Sequence, residues 1–248
     1  MPTARAARLA SNARFITSHP RAFFLIDRIR KSGLTFLDRR ALYDIVEVID
    51  SIERHGIEGA IVEAGCARGG AAIAMASVKS PKRAMAVYDV FGMIPPPTEK
   101  DGPDVHERYA AIIAGAAEGV DGTSYYGYEA DLYTQVCRSF AKHGINLADN
   151  NIRLIQGLFD DTLHPDGSIS CAHIDCDWYE SVTTCLNRIV PRLSRGGVLV
   201  IDDYYSWSGC KQAVDDYFSQ APGELGGPAG PAGEYRFVHK SRLHIQRL

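Results

Sequence analysis

Ala172-His173-Ile174-Asp175-Cys176-Asp177-Trp178-Tyr179-Glu180-Ser181 opens as an apolar run and breaks into alternating acids. Val198-Leu199-Val200-Ile201-Asp202-Asp203-Tyr204 repeats that plan further along the chain. Apolar runs of this kind are buried strands of a parallel sheet, and polar residues at their carboxyl ends face the ligand crevice. The two runs therefore predict strands whose tips bring Asp175 beside Asp202 and Asp203. Asp177, two residues past Asp175, is expected on the same side of an extended strand end. Three carboxylates gathered there repel one another unless a positive charge sits between them, and a hard divalent cation with oxygen ligands is the simplest one. The plainer alternative for Asp202-Asp203 is capping of the helix that follows.

Working outward, Ala60-Ile61-Val62-Glu63-Ala64 reads as a first strand running into Gly65-Cys66-Ala67-Arg68-Gly69-Gly70 and a helix from Ala71 to Val78. Strand, glycine turn and helix together bring a ligand against backbone N–H groups, although the spacing is not the dinucleotide G-x-G-x-x-G. Glu63 at the strand end is placed to pair with a cationic group of that ligand. A second strand, 83–88, ends in Asp89, about 20 residues beyond the turn, where an acid accepts two ribose hydroxyls. Turn and acid together predict a nucleoside-containing cofactor. The strand 151–157 and the loop Leu158-Phe159-Asp160-Asp161 are positioned to sandwich an adenine.

The remaining elements follow from period and punctuation. Leu42, Ile45, Val46, Ile49 and Ile52 recur at helical steps between Asp38 and His55, and Gly56 stops that helix. Pro20 marks a helix start in an apolar, amphipathic lead-in over residues 1–32. From 93 to 128 the periodicity lapses around Pro95-Pro96-Pro97, and an insertion of that length predicts a lid or substrate wall, with His106, Tyr109, Tyr125, Tyr126 and Tyr128 as candidate contacts. Helices are expected over 130–143, from Tyr179 to Leu193 and from about Gly209. Gly196-Gly197 is expected to turn into the strand 198–201. Residues 221–234 are rich in Pro and Gly and read as a mobile surface loop before a final pair of alternating strands. His173 reads as a core residue, and His106 and His164 as alternative bases. Trp178 and Trp207 are candidate walls for a substrate pocket.

Composition narrows the classes. The 248 residues carry a net charge of -3, which gives no general attraction to nucleic acid. Six cysteines show no C-x-x-C pair or zinc-finger spacing, which suits a reducing compartment. A secretory h-region and a bilayer-spanning stretch are both missing, so a cytoplasmic protein without membrane partners is expected.

The set Glu63-Ala64-Gly65-Cys66-Ala67-Arg68-Gly69-Gly70, Tyr88-Asp89-Val90-Phe91-Gly92, Gly157-Leu158-Phe159, Asp175-Cys176-Asp177-Trp178-Tyr179-Glu180-Ser181 and Asp202-Asp203-Tyr204 resembles the macrocin and mycinamicin sugar O-methyltransferases. Each fragment is weak alone; the combination is specific. The resemblance implies an α/β fold, a Rossmann-like class I methyltransferase sheet, mostly parallel with an antiparallel final strand and helices on both faces. A helical N-terminal arm over 1–32 is expected to precede a methyltransferase domain over 33–248 with the lid inserted at about 93–128. The implied cofactors are S-adenosylmethionine and Mg2+. By the same resemblance, Asp175, Asp202 and Asp203 are metal ligands and Asp177 is the candidate general base. Glu63, Gly65, Arg68, Gly69 and Gly70 hold the methionine end of the cofactor. Asp89 holds its ribose and Phe159 lies by its adenine, and Phe91, Gly157 and Asp175 are further cofactor-binding residues. The implied partner is a glycosylated natural product, methylated on a sugar hydroxyl in antibiotic tailoring. The apolar arm adds the expectation of a homo-oligomer. Two other readings stay open: a catechol or phenol acceptor, and a cofactor-binding protein without turnover.

Overall fold

The stripe Leu42, Ile45, Val46, Ile49 and Ile52 is fully or almost fully buried on one helix, α3 (Arg39–Arg54), whose N-terminus is capped by the Asp38 carboxylate accepting from the Arg40 and Ala41 N–H groups at 2.8 Å each. The computed structural model describes residues 12–219 and 234–248. The expectations for residues 1–11 of the N-terminal arm and for the Pro/Gly-rich stretch up to 233 lie outside the described residues. Residues 12–18 are helical (α1), and α2 (Pro20–Lys31) starts at the proline, as its fixed φ favours. Leu25, Ile26 and Ile29 of α2 join the α3 core. The described part of the arm therefore packs into the main hydrophobic core.

The chain continues through β1 (Ala60–Ala64), α4 (Gly70–Ala76), β2 (Met85–Asp89), α5 (Pro103–Ile113), α6 (Leu132–Lys142), β3 (Ile152–Gln156), α7 (Phe159–Thr162), β4 (Ile169–Ile174), α8 (Tyr179–Ile189), β5 (Leu193–Ile201), α9 (Ser208–Ser219), β6 (Tyr235–His239) and β7 (Leu243–Arg247). The sheet order is β3-β2-β1-β4-β5-β7-β6. The first five strands run parallel; β7 pairs antiparallel with β5, and β6 with β7. Helices α2, α3 and α4 bury one face, α8 and α9 the other. The order reverses between β1 and β4, and at such a switch point the loops part and leave a crevice.

One strand boundary differs from expectation. The 193–197 segment belongs to β5, and α8 stops at Ile189. The β4–β5 register jumps from Ile169↔Leu193 to Cys171↔Val198, so extra residues of β5 bulge out, with Gly196 at φ +79. Glycine reaches that conformation without a Cβ clash, which lets the strand pass through what reads locally as a turn.

Candidate active site

The crevice begins where β1 ends. Gly65, Ala67 and Gly69 all have positive φ, so the chain after Ala64 coils tightly. Inside that coil sits Asp89, from the end of β2. Its Oδ2 accepts the Cys66 N–H at 2.7 Å and the Ala67 N–H at 3.0 Å, and its Oδ1 accepts the Phe91 N–H at 2.7 Å. The turn amides thus hold a carboxylate of the protein itself. Burial pushes Asp89 up from the ordinary carboxylate range, and the three amides draw it back toward the ionised form. A Cβ on Gly65 would stand 1.8 Å from the Asp175 backbone oxygen. With φ at +86 as well, Gly65→Ala is expected to cost more than about 3 kcal/mol. A fall in the urea midpoint that also abolishes cofactor binding is the readout; an unchanged midpoint would refute the close approach.

Across the switch point stand the acids. One carboxylate oxygen each from Asp175, Asp177 and Asp203 lie within 4.8 Å of one another. Asp203 Oδ2 is buried without a hydrogen-bond partner among the described residues. Burial, then repulsion from the neighbouring acids, pushes Asp175 and Asp203 well above the usual carboxylate range, and burial pushes Asp177 up as well. Asp177 reaches the group by a route other than strand alternation. β4 stops at Ile174, Asp177 adopts φ +59, and the Trp178 N–H donates to Cys176 O at 2.6 Å around it. This tight three-residue turn folds the side chain back toward Asp175.

Asp202, expected with Asp175 and Asp203, is engaged elsewhere. Arg242 Nε donates to its Oδ1 at 2.6 Å, and His173 Nε2 lies 3.5 Å from the same oxygen. His173 Nδ1 is 3.5 Å from Glu63 Oε1, and both side chains are fully buried. Register explains the row, since Glu63 and His173 are directly paired across β1 and β4. Burial pushes His173 down, but Asp202 and Glu63 outweigh it and raise it to about 10. Burial raises Asp202, and His173 and Arg242 more than reverse that. Glu63 is raised by burial. Glu63, His173, Asp202 and Arg242 thus form a buried row of alternating acidic and basic side chains.

A cavity of about 450 Å³ joins these parts. Gly65, Asp89, Gly157, Phe159, Asp175 and Asp177, all expected at the site, line it, as do Asp202 and Asp203. Glu63, Arg68, Gly69, Gly70 and Phe91 do not. Glu63 faces His173 inside the sheet. Arg68 reaches across to Glu129 at 2.9 Å and to Ser124 O at 2.8 Å, tying down the insertion. The Gly70 N–H donates to Leu34 O, Gly69 precedes α4, and Phe91 packs on Tyr133. Neither His106 nor His164 lines the cavity; both are exposed, His106 beside Thr98 O and His164 beside Arg188.

The insertion supplies the outer wall, including Pro95, Tyr125 and Tyr126. It is pinned to the starts of α8 and α9. Asp101 Oδ1 accepts the Tyr179 N–H at 2.8 Å, Trp178 Nε1 donates to Pro95 O at 3.1 Å, and Asp104 Oδ2 accepts the Ser208 N–H at 2.9 Å. Trp178 and Trp207 meet edge to face at 5.9 Å and both line the cavity. Tyr128 instead donates to Ile112 O, and neither it nor Tyr109 reaches the lining. Arg108, Arg242, Ser181 and Thr184 are lining residues that sequence reasoning missed. Ser181 lies within the D-x-D-x-Y-E-S motif, whereas nothing local marks Arg242, which is 40 positions from its partner.

The family model described as macrocin-O-methyltransferase matches residues 26–222. The 8-demethyl-8-(2,3-dimethoxy-alpha-L-rhamnosyl)-tetracenomycin-C 4'-O-methyltransferase of Streptomyces olivaceus is 32% identical over 189 residues, spanning 74% of this chain and 67% of that protein. The mycinamicin III 3''-O-methyltransferase of Micromonospora griseorubida is 29% identical over 192 residues, spanning 74% and 69%. The structure of the O-methyltransferase NovP shares the fold, with a TM-score of 0.66 over 86% of this chain and 82% of that one at 24% identity.

Proposed function

The chain belongs to the macrocin-O-methyltransferase family and is an O-methyltransferase, and from that premise we propose that it methylates a sugar hydroxyl of a glycosylated natural product at a divalent cation held by the acid cluster. The family implies S-adenosylmethionine as donor, which supplies the reactive methyl. The observation that carries the proposal is the convergence of Asp175, Asp177 and Asp203 beside the Asp89 and Gly65 cradle.

The acid cluster fits a hard cation. Its donors are all carboxylate oxygens, they repel one another as they stand, and Asp203 Oδ2 has no partner among the described residues. Asp175 and Asp203 would hold the ion, with Asp202 contributing from its Arg242-bound position. A sugar hydroxyl has a pKa of about 13, so ionising it at pH 7 costs about 8 kcal/mol. A bound cation would lower that cost as a Lewis acid. Asp177 takes the proton as it leaves the acceptor oxygen. Asp89, held by its three amides, accepts the ribose hydroxyls, and Phe159 with Gly157 flanks the base. The Trp178–Trp207 pair and Tyr125 exclude water and orient the acceptor. The proposal extends to self-association of the chain, and six free thiols fit a reducing cell interior. Among the described residues no helix is long and apolar enough to cross a membrane.

The test is turnover of S-adenosylmethionine on a panel holding the acceptors named for the relatives and simple catechols, with and without chelator. Methylation of glycosides, lost at least about 100-fold in chelator and restored by Mg2+, is the expected result. Full activity in chelator refutes the cation, and turnover of catechols alone refutes the sugar.

A further inference from the structure

Two arginines line the cavity, and they are not equivalent. Arg242 is spent on Asp202. Arg108, on α5, makes no hydrogen bond and no ion pair among the described residues; its guanidinium carbon lies 5.5 Å over the Tyr125 ring. Arg108 and the acids Asp175, Asp177 and Asp203 line the same cavity. A guanidinium carries five donors in a fixed fork and no acceptor. Left unpaired in a cavity that also carries Asp89, Asp175, Asp177 and Asp203, those donors are suited to a ligand oxygen. The helix that carries it is fixed, since Asp101 and Asp104 tie the two ends of the 101–104 turn to α8 and α9. The cradle of Gly65 and Asp89 belongs to the tips of β1 and β2, whereas Arg108 stands on the insertion, beside the aromatic wall.

We infer that Arg108 is a specificity-determining residue of the acceptor site, gripping an oxygen of the acceptor that adjoins the hydroxyl to be methylated. This rests on the acceptor reading above. It narrows the substrate class to molecules with a hydroxyl, ether or carbonyl oxygen next to the reacting hydroxyl, and it disfavours isolated alcohols and simple monophenols.

Steady-state kinetics on Arg108→Met and Arg108→Lys test it, with cofactor affinity measured by calorimetry. Arg108→Met is expected to raise the acceptor KM about 10- to 100-fold, the effect of losing a hydrogen bond from a charged group, with kcat within about threefold and cofactor affinity unchanged. Arg108→Lys is expected to recover part of that loss, because charge remains while the fork is gone. An unchanged acceptor KM overturns the inference. So does a loss of cofactor affinity alone, which would move Arg108 to the methionine carboxylate, or a fall confined to kcat. The comparison uses whichever acceptor the wild-type enzyme turns over. A wild type that methylates catechols and no glycoside refutes the sugar reading alone. The KM of Arg108→Met for the catechol then supports or overturns the role of the arginine by the same criteria.

Discussion

Asp177→Asn is expected to lower kcat by about three orders of magnitude, the middle of the range for removing a positioned general base. Asparagine keeps the size and tolerates the positive φ of this position, so the turn around residue 177 is retained. Binding of S-adenosylmethionine should hold, because Asp89 and the glycine turn are untouched. Mn2+ affinity, read by calorimetry or electron spin resonance, separates two roles for the side chain. Affinity within about threefold of wild type marks Asp177 as the base alone, whereas a loss of about 10- to 100-fold marks it as a cation ligand as well. A variant retaining more than about a tenth of wild-type kcat shows that the proton goes elsewhere, with Asp175 the next acid to test.

His173→Leu is expected to destabilise the fold by about 3–5 kcal/mol, because it removes the cation between two buried acids and strands Glu63 in the sheet. For a chain of this size that corresponds to a drop in Tm of roughly 6–20 °C. The double variant Glu63→Leu/His173→Leu should recover much of the loss, since replacing a buried pair as a unit leaves no lone charge. The pH dependence has a definite sign. The imidazole is raised in the folded state to about 10, so its contribution is complete below its unfolded value near 6.5 and disappears as pH rises through about 10. Wild type should therefore lose stability along this alkaline limb, and the double variant should not. If the double variant costs the sum of the two single replacements, the residues do not interact. Arg242 extends the chain to the C-terminal strand, so the same coupling ties β7 to the acid cluster.

What is local and periodic is legible in the residues alone. Apolar stripes at helical spacing mark α2 and α3, apolar runs ending in acids mark β4 and β5, and alternation near the C-terminus marks the β6–β7 pair with its antiparallel approach. Hydrophobic burial depends on side-chain period, and period is visible in a string of residues. The strand-tip logic also brings Asp89, Gly65, Asp175 and Asp203 to one crevice, because parallel strands end on one side. Which charges meet is settled by the folded chain. Asp202 groups with its neighbour Asp203 in the sequence, yet Arg242 and His173 claim one of its oxygens. Asp177 joins the cluster through a backbone turn at positive φ that two-residue alternation does not describe. The glycine turn reads as a ligand cradle, but two of its amides are satisfied by Asp89, and Glu63 turns into the sheet toward His173. Hydrogen bonds and ion pairs act over about 3–4 Å between groups that can stand tens of positions apart, and no local pattern records which of several acids a distant arginine will reach first.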